Sequence, residues 1–218
     1  MPEFDPLTLA VQYFCLLFAL CVHEAAHALM ADYRGDSTAR FLGRITLDPR
    51  KHADILGTVV FPILAMATGS GFLFGWAKPV PFNPLNLKDR ARDPVLIAIA
   101  GPASNVIMGC VSLLILLVLR LAYTGGIMDP SLFKVVAMLF LNFTAINFVL
   151  ALFNVIPVPP LDGHYVLKYF LSPSAANMLE RIGPFGIIIA LLVAGPWLGV
   201  AMQPIYQLIK LALGPTFG

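Results

Sequence analysis

The sequence predicts an all-α fold, a polytopic helical membrane protein. Of its 218 residues, 59% are hydrophobic and 12% are charged, and the mean hydropathy is +0.84. Soluble domains carry about 25% charged residues, so we expect a single integral-membrane domain over residues 1–218. Five stretches lack charge for roughly the length that a bilayer requires. They are residues 7–22, 55–77, 94–119, 135–161 and 182–209.

The first stretch carries the strongest chemical signal. We expect it to continue as a helix through His23, Glu24 and His27 to about Asp32. Histidines four residues apart lie one turn apart on one helix face, so both imidazoles can reach one metal ion. Glu24 can contact a water on that metal, which is the H-E-x-x-H arrangement of zinc hydrolases. So short a pattern also arises by chance, but ionisable groups in a membrane-spanning helix are costly and mark a functional site.

The second stretch differs from the others because glycine and proline interrupt it. Proline removes a helix donor and glycine weakens a helix, so we expect a broken or re-entrant segment. Such backbone is tolerated at membrane depth only where protein covers it or where it lines a wet cavity. The interruptions are Gly57, Pro62, Gly69, Gly71 and Gly75.

Two segments beside this stretch have extended character. Residues 39–47 have moderate strand propensity and allow a short β-hairpin at the membrane edge. Residues 75–84 are rich in proline, which favours an extended backbone. Lys78 and Pro79 in this segment are candidates for lining a substrate groove; the alternative is an interfacial loop anchored by Trp76.

The third and fourth stretches each place polar residues at one end. Asn105 is an amide in an apolar helix, for which an interhelical hydrogen bond and a catalytic role are equally good explanations. After the fourth stretch, Pro157, Pro159 and Pro160 must end the helix. Asp162 follows on irregular backbone and is the best candidate for a third metal ligand, with His164 as the rival. The fifth stretch is one kinked helix or two short helices meeting at Gly195-Pro196.

Taken together, these motifs resemble the site-2 protease family of intramembrane zinc metalloproteases. Their order and spacing match that family across almost the whole chain. The segment around Lys78 is similar to that of compact bacterial members, and no PDZ-like or nucleotide-sensing insertion is present. The motifs are His23-Glu24-x-x-His27, Gly101-Pro102-x-x-Asn105 and Asn154-x-x-Pro157-x-x-x-x-Asp162-Gly163.

The resemblance implies one Zn²⁺ per chain, held by His23, His27 and Asp162, with Glu24 as the general base. It also implies contacts from Asn105 and Asn154 to the substrate or the transition state. We therefore expect a zinc metalloendopeptidase that cleaves the membrane span of a single-span protein, without nucleic acid as a partner. The alternatives are a metal transporter and a catalytically silent zinc-binding scaffold.

A common metal constrains the topology. The end of the first stretch, the start of the third and the end of the fourth must share one side of the membrane. Eleven of the 14 Lys and Arg residues then fall on that side, which indicates the cytoplasm. We expect a bacterial inner-membrane protein with both termini outside. The eleven are Arg34, Arg40, Arg44, Arg50, Lys51, Lys78, Lys88, Arg90, Arg92, Lys168 and Arg181.

Overall fold

A computed structural model describes residues 5–68 and 75–214 of the chain, as a set of helices without a strand in these ranges. Three of these helices are long and apolar enough to cross a membrane: Pro6–Tyr33, Asp93–Thr124 and Pro130–Asn154. The predicted helical membrane protein is confirmed at this level. The helices are α1 Pro6–Tyr33, α2 Thr38–Phe41, α3 Pro49–His52, α4 Phe61–Thr68, α5 Asp93–Thr124, α6 Pro130–Asn154, α7 Gly163–Phe170, α8 Pro173–Ile182, α9 Gly186–Ala201 and α10 Gln203–Leu213.

Two of the long helices begin with the same local device. Asp5 accepts hydrogen bonds from the backbone N–H groups of Leu7 and Thr8, and Pro6 occupies the first turn of α1. Asp129 and Pro130 do the same for α6. The aspartate satisfies backbone donors that have no partner within the helix, and proline has no N–H to leave unpaired.

The core of the fold is α5, which lies antiparallel to both α1 and α6. Asn105 of α5 meets both neighbours, and Gly109 lets the Phe148 ring approach the α5 backbone closely. At one end, the buried Asp93 at the start of α5 pairs with Arg34 just after α1, with 2.6 Å between Nη2 and Oδ1. The chain between α1 and α5 therefore leaves and returns at the same end of the bundle.

The second apolar stretch is short in its described parts. A π-helical segment, Ile55–Val60, runs directly into α4, and the backbone is extended from Gly75 onward. The Trp76 N–H donates to the Gly57 carbonyl at 3.2 Å, so this stretch comes back beside its own start. Gly69 and Gly71 lie outside the described residues, and re-entry into the membrane stays a prediction.

The hairpin expected over residues 39–47 is wrong, since this segment forms α2 and a turn. Gly43, with φ of 65°, follows the helix in the left-handed conformation. Its N–H donates to the Arg40 carbonyl and the Arg44 N–H to the Ala39 carbonyl. This is the Schellman arrangement, which closes a helix and turns the chain. The glycine turn after α2 therefore decides the conformation of residues 39–47, in spite of their strand propensity.

The fifth stretch forms two helices, and they do not meet where the sequence suggested. Pro196 lies inside α9, while the break falls at Met202, just before Pro204 in the first turn of α10. The start of α9 lies against Pro159, beside the end of α6. The end of α10 packs on Leu116 of α5 and Phe133 of α6, at the opposite end of the bundle.

Candidate metal centre and active site

Three side chains converge at the end of the bundle where α1 ends and α5 begins. The Nε2 atoms of His23 and His27 lie 3.0 Å apart. Asp162 Oδ2 is 3.1 Å from His23 Nε2, and Asp162 Oδ1 is 3.4 Å from His27 Nε2. Ligands at about 2.0–2.1 Å from a tetrahedral zinc are separated by about 3.3 Å. Within the described residues, these three form the group whose ligand atoms could share an ion.

Two glycines make this convergence possible. A Cβ on Gly101 would lie 2.4 Å from His27 Nε2, so α5 can approach the histidines only without a side chain there. A Cβ on Gly163 would lie 2.3 Å from the Val155 carbonyl oxygen. Glycine at that position lets the chain after α6 fold back on the helix end, which brings Asp162 under the two imidazoles.

Hydrogen bonds to the other ring nitrogens set the histidine tautomers. His27 Nδ1 lies 2.7 Å from the Ile97 carbonyl oxygen, which can only accept, so Nδ1 carries the proton. His23 Nδ1 lies 2.6 Å from Asn105 Oδ1. The Asn105 amide donates to Asn147 Oδ1 at 2.9 Å, and its oxygen is thereby turned toward His23.

The ligand atoms of His23, His27 and Asp162 suit a bound cation. With both Nδ1 atoms protonated, the two Nε2 lone pairs point at each other and at the Asp162 carboxylate. Asp162 Oδ2 is buried and has no hydrogen-bond partner in the described structure. Buried acceptors left facing one another are costly. Two imidazoles and one carboxylate are a ligand set of catalytic zinc sites, which keep a fourth position open.

Glu24 lies beside the ligands, buried to 8% exposure, and lines the adjoining cavity. Its Oε2 accepts a hydrogen bond from the Val80 N–H at 3.1 Å. The guanidinium of Arg44 is 4.0 Å from the same oxygen. One carboxylate oxygen of Glu24 is therefore held by the protein.

The cavity beside the centre has a volume of about 730 Å³. Apolar side chains from the long helices form much of its wall, among them Leu20, Ile97, Leu150 and Phe153. Residues of the proline-rich segment, among them Pro79 and Val80, form another part of the wall. The volume of the cavity lies within the range of ligand-binding cavities, about 300–1,000 Å³.

The expected contact from Asn105 to the substrate or the transition state does not fit the structure. Asn105 is 0% exposed, and its amide bonds to His23, Asn147 and the Ala19 carbonyl. No polar atom of its side chain is left for a substrate, because helix packing encloses it. Asn105 orients His23 instead, which is the interhelical role that the sequence also allowed.

Of the other residues expected at the site, some line the cavity and one does not. Asn154 and Pro79 line the cavity, although the Asn154 amide also donates to the Leu150 carbonyl in its own helix. Lys78 is exposed and absent from the cavity wall; its backbone N–H donates to the His52 carbonyl. The rival ligand His164 lies on the wall with Nδ1 beside the Leu161 carbonyl, outside the group of three.

Sequence reasoning missed two residues next to this site. Asn147 carried the same signal as Asn105, an amide inside an apolar stretch, and fixes the Asn105 amide from α6. Arg44 gave no signal, since it is one basic residue in a basic loop. It lies beside Glu24 because the left-handed turn at Gly43, just after α2, turns the chain back.

Comparison with known proteins identifies relatives. A protein from Bacillus subtilis named "Putative zinc metalloprotease YwhC" is 38% identical over 176 residues, which cover 81% of this chain and 76% of that protein. "Putative zinc metalloprotease Rip2" from Mycolicibacterium smegmatis is 30% identical over 177 residues, and the Mycobacterium tuberculosis protein of that name is 32% identical over 179. Both alignments span 62% of the Rip2 chains, less than two thirds.

Two other comparisons add nothing to these relatives: no model of a protein family matches the chain, and no solved structure matches it. The alignment with the Bacillus protein exceeds 30% identity and covers most of both chains. The chain therefore belongs to the same family as the Bacillus protein named "Putative zinc metalloprotease YwhC".

Proposed function

We propose that this chain is a site-2 protease that hydrolyses peptide bonds within the membrane span of single-span membrane proteins. The observation that carries the proposal is the convergence of His23, His27 and Asp162 with Glu24 beside them, at one end of three membrane-length helices. Each Nε2 lone pair is kept free by a hydrogen bond on the other ring nitrogen. The names of the relatives support zinc as the metal.

The residues divide the chemistry among themselves. His23, His27 and Asp162 would hold a zinc ion, which would supply a Lewis acid for the attacking water and for the scissile carbonyl. Glu24 takes a proton from the attacking water and passes it to the leaving amine. The Val80 N–H holds Glu24 Oε2 during both transfers. The apolar cavity wall keeps other water away from the reacting bond.

The substrate must unwind before it reaches Glu24. Peptide groups of a membrane helix are hydrogen-bonded within the helix, because lipid offers no partners. An unwound segment needs new partners, which an extended backbone can offer by strand addition. The extended strap, residues 75–83, is the candidate, since residues 39–47 form no strand. Pro79 and Pro81 have no N–H, the Val80 N–H donates to Glu24, and Arg44 donates to the Lys78 and Pro79 carbonyls. A substrate would therefore bond to the backbone groups of the strap that these contacts leave.

We also propose that the site opens toward the cytoplasm and that both termini lie outside. Eleven of the 14 basic residues lie in the segments between α1 and α5 and between α6 and α9, and cytoplasmic loops carry the excess of Lys and Arg. The substrate is then cut near the cytoplasmic end of its span. An inner bacterial membrane is consistent with the bacterial relatives.

The decisive experiment is cleavage of a reporter membrane protein by the wild type and by Glu24→Gln. The variant keeps its shape and its bond to Val80 but cannot take a proton, so it should retain zinc and lose nearly all turnover. Asp129→Asn, a carboxylate-to-amide change at the cap of α6, is the matched control and should cleave normally. Zinc binding without cleavage by the wild type would favour a scaffold. Cleavage by Glu24→Gln near the wild-type rate would exclude Glu24 as the base.

Substrate unwinding has its own test. Cleavage rates are compared across reporter spans of graded helix propensity, from an unbroken poly-Leu span to one that carries Asn-Pro near the cut. The Asn-Pro span should be cut faster, because unwinding its helix costs less free energy than unwinding a poly-Leu helix. Equal rates would show that unwinding does not limit the reaction.

A further inference from the structure

Arg44 is a buried cation beside the proposed active site that the mechanism above does not use. It is 5% exposed and follows the left-handed turn at Gly43. Its Nη2 donates to the carbonyl of Lys78, and its Nη1 donates to the carbonyl of Pro79 at 3.3 Å. One guanidinium thus holds two successive carbonyls of the strap in a fixed fork.

The next residue of the strap holds the base. The Val80 N–H donates to Glu24 Oε2 at 3.1 Å, and Arg44 Nη2 lies 4.0 Å from that oxygen. Arg44, the strap and Glu24 therefore form a closed set of contacts around one carboxylate oxygen. A shift of the two carbonyls held by Arg44 would displace the Val80 N–H, because peptide units are rigid.

Stability does not account for this arginine. Burying a guanidinium costs free energy unless its donors are paired. Arg44 Nε is buried and has no hydrogen-bond partner in the described structure. Its nearest acid is at the outer limit of an ion pair. A buried charge with an unpaired donor is expected where function retains it.

We propose that Arg44 is a positioning residue of the peptidase reaction, which orients the strap and, through the Val80 N–H, the general base Glu24. This proposal rests on the proposed function. Because the substrate docks along the same strap, Arg44 sets the distance between the scissile carbonyl and the carboxylate. Its loss should lower kcat more than it raises KM, since docking survives on a displaced strap but alignment does not.

The test compares Arg44→Gln and Arg44→Lys with wild type in cleavage of a reporter span. Displacement of the strap by about 1 Å should lower kcat on the order of 100-fold, with zinc content and thermal stability near wild type. Lysine should not rescue the rate, because an ammonium cannot reproduce the planar fork. The matched control is Arg40→Gln, whose exposed side chain pairs with Asp32 away from the site; it should cleave normally.

Backbone hydrogen exchange supplies a measurement that needs no substrate. The Val80 N–H should exchange faster in both Arg44 variants than in the wild type and in Arg40→Gln. Unchanged kcat and unchanged Val80 exchange in a folded, zinc-containing Arg44→Gln protein would overturn the proposal. If that variant does not fold, Arg44→Lys is judged by the same two measurements. A wild type that cuts no membrane span would refute the proposed function, while Val80 exchange would still decide whether Arg44 holds the strap against Glu24.

Discussion

Replacing Gly101 with alanine tests the proposed metal centre with one methyl group. The added Cβ would lie 2.4 Å from His27 Nε2 and 2.6 Å from His23 Cε1. That is about 1 Å closer than van der Waals contact permits. Neither ring can rotate away freely, because Asn105 and Ile97 hold their Nδ1 atoms at 2.6 and 2.7 Å.

The consequence for the metal follows from the tolerance of the site. Metal ligands must stay within about 0.2 Å of their preferred distances, and relief of the clash requires more movement than that. We expect zinc affinity to fall at least ~100-fold, which corresponds to about 2.8 kcal/mol. Alanine within a helix is otherwise favoured over glycine by roughly 1 kcal/mol, so helix formation itself should not suffer.

The assay is competition for zinc between the purified protein and a chromophoric chelator. Gly199→Ala is the matched control: it makes the same change inside α9, where nothing lies within 4 Å of the added Cβ. The control should bind zinc as the wild type does and be at least as stable. If Gly101→Ala also bound zinc like the wild type, the ion would not lie between these imidazoles.

Three further predictions concern the support of the metal centre, the buried Asp36 carboxylate and the orientation in the membrane. Asn147→Leu should weaken zinc binding about 10- to 100-fold, because it releases the Asn105 amide that orients His23. The same competition assay measures this, and an unchanged zinc affinity would show that Asn147 does not support His23 through Asn105. Burial alone would raise the pKa of the Asp36 carboxyl, but hydrogen bonds from neighbouring side chains and backbone hold that pKa below its usual value. Asp36→Asn should therefore lower the melting temperature at neutral pH, with the difference shrinking below about pH 4 as the wild-type carboxylate is protonated; a constant difference would contradict this. On intact cells, an impermeant thiol reagent should label Gly126→Cys but not Asp89→Cys in a cysteine-free background. Labelling at Asp89 would place the end of the bundle that carries the proposed active site outside the cell.

The sequence by itself determined what depends on local geometry and composition. Helix periodicity put His23 and His27 on one face of α1, and the absence of charge gave the membrane-length helices. Asp162 stood out because it is the one acid between Asp129 and Glu180. Each of these inferences needs only neighbouring residues, since a helix repeats a local hydrogen-bond pattern.

Tertiary structure decided the partners of the buried polar groups. Asn105 could face a substrate or a helix, and the choice depended on His23, 82 residues away, and Asn147, 42 residues away. Arg44 reached Glu24 only because the Gly43 turn replaced an expected strand. A buried amide or guanidinium bonds to whatever groups packing brings near it, and those groups come from segments that local sequence patterns do not relate.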